Sequence, residues 1–370
     1  MQYFGFLETL LFIQFPIFYP FTDVKPTDYY KDVLGEVSPT EAAMINEVYT
    51  LEMKAGEYSS FYNTTSDVAG FVVEFSGKLV GFDISEINRA WDMLYRLSLP
   101  LGRSGVLMHT LSAINIMMYD IYSKYLGVPA YKIMGGATRK HIRAYASHLH
   151  PTDFKDLEDE AREYVSQGYK TMKMRFISGP SDINGIEKNI ELVKAIREAV
   201  GYDIELAGDA WMSWNYNFAL KMVKKLERYD IAWIEEPLMP DDFEAMKMLS
   251  WKTGIPISEG EHHYHIYDFK RLLDAGIRIL QPDAVWTGGI TPMKKITALA
   301  ETYGAIVVPH TGNVYNLHVI GSEPESVTPV AEFLTKYREW MEQHMEGTPF
   351  PKNGYFTLSD KPGFGLEYKL

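Results

Sequence analysis

"DIAWIEEPLMPDD", residues 230–242, runs a short apolar segment into two adjacent carboxylates and a proline. A β-strand sends alternate side chains to opposite faces, so Trp233 and Glu235 share one face while Ile234 and Glu236 share the other. The two glutamates therefore have different surroundings. A carboxylate ending an apolar strand is costly unless a cation, a metal or open water meets it. Which of these applies to Glu235 depends on what lies at the same strand position elsewhere in the chain.

From about residue 140 onward, β-rich runs alternate with amphipathic helical stretches. The runs are "IRAYAS" from Ile142, "KTMKMRF" from Lys170, "IELAG" from Ile204, "IAWIEE" from Ile231, "IPISEG" from Ile255, "IRILQPD" from Ile277, "AIVVPH" from Ala305 and "PVAEFL" from Pro329. Segments such as "DFKDLEDEAREYVSQG", "NFALKMVKKLERY" and "TPMKKITALAETYG" lie between them, with apolar residues near helical spacing and a Gly or polar stop. This repetition predicts an α/β fold of parallel strands with right-handed crossovers, and eight strands can close into a (β/α) barrel. The active site of such a barrel lies at the C-terminal strand ends. There the sequence sets Asp209, Glu235, Glu261, Asp283, His310 and Glu332, spaced 26, 26, 22, 27 and 22 residues apart. Glu235 is thus in phase with Asp209 and Glu261. Three carboxylates converging at one barrel mouth require a cation, and oxygen-only ligation suits Mg²⁺, with Mn²⁺ as the alternative. Glu236, on the other face, is expected to be a supporting or rim charge.

Composition narrows the partners. The chain has 370 residues, 46% of them hydrophobic, and a formal charge of −13. That length and apolar content support a sizeable core, and the acidic surplus argues against nucleic-acid binding. With no cysteine, any metal must be held by oxygen or imidazole ligands. The apolar start "MQYFGFLETLLFIQFPIFYPF" is interrupted by Glu8, Gln14, Pro16 and Pro20 and has no basic residue before Lys25, which fits neither a signal peptide nor a spanning helix. We read it as strands of a first domain, in a cytoplasmic protein without membrane attachment. Gly135 and Gly136 read as the turn into the barrel, and the histidines of "EHHYH", residues 261–265, as solvated or helix-start residues rather than a zinc cluster.

Taken in order, "KMR", "GDAW", "WIEEP", "SEGEHH", "QPDAVWTGGIT", "VVPH" and "PVAEF" resemble the enolase superfamily in its mandelate racemase branch. The longer stretches "GYKTMKMRFISGP", "GDAWMSWNYNFA" and "PHTGNVYNLH" look most like its acid-sugar dehydratases, the rhamnonate dehydratase group among them. The resemblance covers roughly residue 80 to the end. It implies a (β/α)7β TIM-like barrel at 136–345, an N-terminal α+β capping domain at 1–135, and a C-terminal segment at 346–370 packing back on the cap. It also implies Asp209, Glu235 and Glu261 as Mg²⁺ ligands, a His310–Asp283 dyad, Glu332 on strand eight and Lys173 on strand two. Assembly as a homo-oligomer, an octamer or a dimer, is expected on the same ground.

The expected activity is a carbon–oxygen lyase, a hydro-lyase removing water from a rhamnonate-like or gluconate- or galactonate-like aldonate. The product is a 2-keto-3-deoxy acid, reached through an enediolate with His310 as both base and acid. Lys173 and Arg175 would orient the substrate carboxylate, and Glu332 would hydrogen-bond its other end. Trp211, Asn215 and Trp286 are read as pocket wall or hydroxyl contacts, with core packing as the alternative. Racemases of this branch carry Lys-x-Lys on strand two, whereas Arg175 holds the second position here. An arginine is too hard to deprotonate to act readily as a base. The alternatives are a racemase or epimerase on the same scaffold and a catalytically silent acid-binding homologue.

Overall fold

The computed structural model describes residue 71 and residues 75–79, 81–149 and 154–368. The expected strands in the apolar N-terminal stretch lie outside these residues. The described chain begins with helices α1 (Ile87–Ser98), α2 (Val106–Tyr125) and α3 (Ala130–Ile133). In α1 the residues Ile87, Ala90, Trp91, Leu94 and Ser98 are buried, a one-sided stripe at helical spacing. That stripe packs on α2, whose own buried residues lie on most of its circumference. A helix apolar all round needs neighbours on every side. Here they are α1, the barrel residues Ala284, Val285, Ile290 and Met293, and Phe364 from the C-terminal segment.

After the Gly135–Gly136 turn, where φ is +121° and +93°, strands and helices alternate. They are β1 (His141–Ser147), α4 (Phe154–Ser166), β2 (Thr171–Arg175), α5 (Gly185–Val200), β3 (Glu205–Asp209), α6 (Tyr216–Leu226), β4 (Ile231–Glu235) and α7 (Phe243–Ser250). Next come β5 (Ile257–Glu259), α8 (His265–Asp274), β6 (Ile279–Leu280), α9 (Ile290–Thr302), β7 (Ile306–Val307), α10 (Val314–Ser322) and β8 (Ala331–Leu334). β1 to β7 pair in chain order, all parallel, and β8 returns to pair with β1. This is the order of a barrel whose seam lies between β7 and β8. The seam is joined by Val307 N–H donating to the Val327 carbonyl at 2.7 Å. The chain ends with α11 (Arg338–His344), β9 (Met345–Glu346), β10 (Tyr355–Thr357) and β11 (Glu367–Tyr368). β10 pairs antiparallel with the start of β1.

The eight expected strands are all present, several of them shorter than their apolar runs. β5 stops at Glu259, so Glu261 lies in the loop beyond it, as do Asp283 after β6 and His310 after β7. Gly260 explains the stop. At φ +147° its missing side chain leaves room for Gln281, whose backbone nitrogen would lie 2.6 Å from an added Cβ. Tyr145, Ala207, Trp233, Ile279, Val308 and Val330 fill the barrel interior as one small apolar cluster. The ladder between β3 and β4 shifts register, Leu206 pairing with Ile231 but Gly208 with Ile234, so β4 holds one extra residue. Ile231 and Ile234 therefore both join the larger core under the helices, while Trp233 faces the interior. Among the described residues no helix is long and apolar enough to cross a membrane.

Candidate active site

The barrel interior carries Lys173 on β2 and Glu235 at the end of β4, both almost fully buried. Lys173 Nζ lies 2.5 Å from Glu235 Oε1 and 2.8 Å from Glu332 Oε1. Burial alone would lower this ammonium's pKa, but the attraction of Glu235 and Glu332 raises it well above the usual lysine value. The same ammonium holds Glu332 down at about 2 against its burial, whereas Glu235, also pulled down by Lys173, is pushed up by burial to about 7. Gln281 Nε2 binds the second oxygen of Glu235 at 2.5 Å. Arg175, at the mouth end of β2, has Nη1 3.3 Å from Asp209 Oδ2.

His310 and Asp283 form a buried pair. His310 Nδ1 lies 3.1 Å from Asp283 Oδ2, which leaves Nε2 facing outward at 3.3 Å from Glu261 Oε1. Asp283 also accepts from Thr311 Oγ1, Asn313 Nδ2 and Asn316 Nδ2, each at 3.0 Å, and from the Val285 backbone at 3.1 Å. With so many donors on it, the carboxylate is fixed in place, and it in turn fixes the imidazole's orientation. Burial would lower the His310 pKa, yet Glu261, Asp283 and Glu332 together raise it to about 10.

Five buried carboxylates gather at this mouth, Asp209, Glu235, Glu261, Asp283 and Glu332, and two more, Glu236 and Glu259, are buried beside it. The permanent cations among them are Lys173 and Arg175. Burial raises Asp209 and Glu261 above the usual carboxylate range, and neighbouring carboxylates add to it. The buried oxygen Asp209 Oδ2 accepts no hydrogen bond. An excess of buried negative charge with unsatisfied oxygens and no thiol is a donor set that fits a hard divalent cation. In this arrangement Glu235 is held by Lys173 and Gln281 and Asp209 by Arg175. The donor atoms that come within 4.8 Å of one another among the described residues are those of Glu236, Glu261 and His262, and of Glu236, Glu259 and His263.

The tertiary structure corrects two expectations. Of the two expected roles of Glu236, the rim charge is excluded, the residue being 1% exposed. The strand has ended before it, and its φ of +40° breaks the alternation and turns the side chain under the loop, where its oxygens lie 2.8 and 3.0 Å from His262 Nδ1. The histidines of "EHHYH" are likewise not all solvated: His265 opens α8 as expected, but His263 is buried and His262 is paired with Glu236. Trp286 packs beside His310 with ring centroids 5.8 Å apart, whereas Trp211 is half exposed at φ +42°. Asn215 caps α6, its side-chain oxygen accepting from Phe218 N–H at 3.0 Å.

Sequence reasoning left several neighbours unassigned. Gln281 stands two residues before Asp283 in "QPD", and Thr311, Asn313 and Asn316 lie in "PHTGNVYNLH", so their proximity to the dyad was the available signal. His109 had none. It comes from α2, and its ring centroid lies 5.1 Å from that of Trp286. Burial pushes its pKa down to about 4, so a neutral imidazole from α2 reaches the wall of the mouth.

The comparisons with known proteins agree with this architecture. A protein of Caldivirga maquilingensis provisionally named L-rhamnonate dehydratase is 35% identical over 332 residues, covering 86% of this chain and 80% of its own. The solved L-rhamnonate dehydratase of Gibberella zeae is 31% identical, with a TM-score of 0.73, over 80% of this chain and 75% of that one. A racemase of Streptomyces coelicolor A3(2), solved with bound magnesium, is 26% identical with a TM-score of 0.75 over 82% of each chain. The family model described as enolase C-terminal domain-like matches residues 156–370, nearly all of the barrel and the segment after it. Sequence motifs, barrel order and these matches converge, and the chain belongs to the enolase C-terminal domain-like family.

Proposed function

We propose that this protein is a hydro-lyase that dehydrates an aldonate, a 2,3-dihydroxy sugar acid of the rhamnonate, gluconate or galactonate kind, to a 2-keto-3-deoxy acid. The observation that carries this reading is the imidazole of His310 oriented by Asp283, with neither basic residue of β2 free to act as a second base. His310 is aimed by Asp283, while Lys173 is locked between two carboxylates and Arg175 stands where a second base would be needed. An ammonium so stabilised stays protonated, and a guanidinium does not release its proton at neutral pH. The relatives' names support the same class, two carrying the name L-rhamnonate dehydratase, one of them provisionally.

Asp209, Glu235 and Glu261 would hold Mg²⁺. When bound, the ion would supply Lewis-acid stabilisation of the charge developing on the substrate carboxylate and would offset the negative charge that raises the His310 pKa. Neutral His310 Nε2 then takes the C2 proton. Asp283 stabilises the imidazolium that forms. The C3–O bond breaks as Nε2 returns that proton to the departing hydroxyl, so that one water leaves and the resulting enol tautomerises to the keto acid. Arg175 orients the substrate carboxylate, and Trp286 and His109 wall the side of the pocket nearest His310.

The test is a panel of aldonic acids incubated with the protein and Mg²⁺, with keto acid trapped as its semicarbazone. We expect turnover of at least one member, lost on chelation and restored by Mg²⁺ or Mn²⁺. Full turnover after exhaustive metal removal would overturn the metal assignment. Accumulation of a C2 epimer instead of keto acid would favour the racemase reading.

A further inference from the structure

β5 carries a second buried carboxylate that the proposed reaction does not use. Glu259 shares its strand face with Ile257, which packs into the core beneath the helices rather than into the barrel interior. It is fully buried, and neither of its oxygens has a hydrogen-bond partner. A carboxylate in such surroundings needs a cation or a proton. Gly260 comes directly after it and turns the chain at φ +147°, so that Glu259 and Glu261 serve different places.

His263 stands beside it with the complementary deficiency. Its Nε2 lies 3.0 Å from the carbonyl of Pro240, an acceptor only, so Nε2 carries the hydrogen and Nδ1 bears a lone pair. That Nδ1 is buried and has no partner. One ligand atom each from Glu236, Glu259 and His263 lie within 4.8 Å of one another, all three residues being buried. Phe243 and Phe269 flank the imidazole, with ring centroids at 5.4 and 6.5 Å. A buried histidine that donates one ring nitrogen to a backbone carbonyl and keeps the other unpartnered, with two buried carboxylates close to the ring, has the donor arrangement of a metal ligand.

We propose that Glu236, Glu259 and His263 form a second divalent-cation site, distinct from the mouth carboxylates and selective for a zinc-like ion over Mg²⁺. Selectivity comes from the imidazole, which a borderline transition metal accepts and Mg²⁺ takes poorly. The ion would tie the loop after β4, through Glu236 and the Pro240 carbonyl behind His263, to the loop after β5. The site stands whether or not Asp209, Glu235 and Glu261 hold a metal.

The experiment is to strip the protein with chelator, dialyse it against micromolar Zn²⁺ in millimolar Mg²⁺, and measure bound zinc per chain by elemental analysis. We expect one zinc per chain in the unmodified protein and in Asp209→Asn, and at least a tenfold loss of occupancy in Glu259→Gln and in His263→Asn. Circular dichroism and melting curves check that each variant folds, and either variant alone suffices if the other does not. Zinc should raise the melting temperature of the unmodified protein and leave that of Glu259→Gln unmoved. Failure to retain zinc would overturn the site and leave a shared proton between Glu236 and Glu259. Zinc lost in Asp209→Asn but kept in Glu259→Gln would overturn it in favour of binding at the mouth.

Discussion

His310 and Arg175 divide the chemistry of the mouth between them. His310→Asn removes the base but leaves a polar side chain beside Asp283, so dehydration should be abolished while the melting temperature changes little. Asp283→Asn removes the anion on which the donors of His310, Thr311, Asn313, Asn316 and Val285 converge. A loss of about 10²–10⁴-fold in kcat is the size expected for disabling a general acid–base pair. Arg175→Ala should raise KM more than it lowers kcat, because the guanidinium orients and does not transfer protons. Monitoring keto-acid formation together with C2 deuterium exchange in D₂O separates these outcomes. Near-normal turnover by His310→Asn would remove the one-base mechanism.

At the scale of elements, the helices that precede the barrel are tied to it where α2 meets the start of α9. Asn115 on α2 accepts from Thr291 N–H at 2.9 Å and donates to Thr291 Oγ1 at 3.0 Å, while Trp91 on α1 donates to the Gly288 carbonyl at 2.7 Å. Gly289 makes this approach possible. Its φ is +100°, and an added Cβ would lie 2.4 Å from Asn115 Oδ1. Gly289→Ala should therefore cost about 2–4 kcal/mol, combining backbone strain with overpacking. Gly304, at φ +62°, has nothing within 4 Å of the same position, so Gly304→Ala should cost only about 1 kcal/mol. Urea unfolding of the two variants checks the difference. Equal losses would mean that strain alone acts and that the α2–α9 contact yields freely.

Across the whole molecule, acid should loosen the junction between the N-terminal helices and the barrel. His318 on α10 accepts from Tyr131 N–H at 3.1 Å through Nδ1, and its ring packs 5.1 Å from Phe364. Burial pushes its pKa down to about 3. The unfolded chain thus binds a proton there that the folded chain refuses. The stabilising contribution is fully present above the unfolded value of 6.5, and it is lost as pH falls from there toward 3. Each pH unit in that window should cost about 1.4 kcal/mol from this group. In His318→Asn the amide oxygen can still accept from Tyr131 but does not titrate. The melting temperature of that variant should fall less steeply between about pH 6.5 and pH 4.5, and parallel curves would refute the role of His318.

Alternation and spacing were enough to place much of the mouth without knowledge of any contact. Trp233 and Glu235 face the barrel interior because side chains alternate along a strand, and the recurrence of polar residues once per strand–helix unit brings Asp209, Asp283, His310 and Glu332 to one end. These are local and periodic properties, and the order of residue types records them directly. Where the chain leaves its ladders, packing took over. Glu236 lies one residue past β4 with a positive φ, so alternation left open whether it was a supporting or a rim charge, and packing made it a buried partner of His262. His109 reaches the mouth from a helix 201 residues before His310, and no spacing within the barrel repeat announces it. The free nitrogen of His263 and the unpartnered oxygens of Glu259 depend on a proline carbonyl and on which side of β5 the helices cover. Hydrogen bonds and burial between segments distant in sequence are set by how the elements pack, and a pattern of residue types carries no record of them.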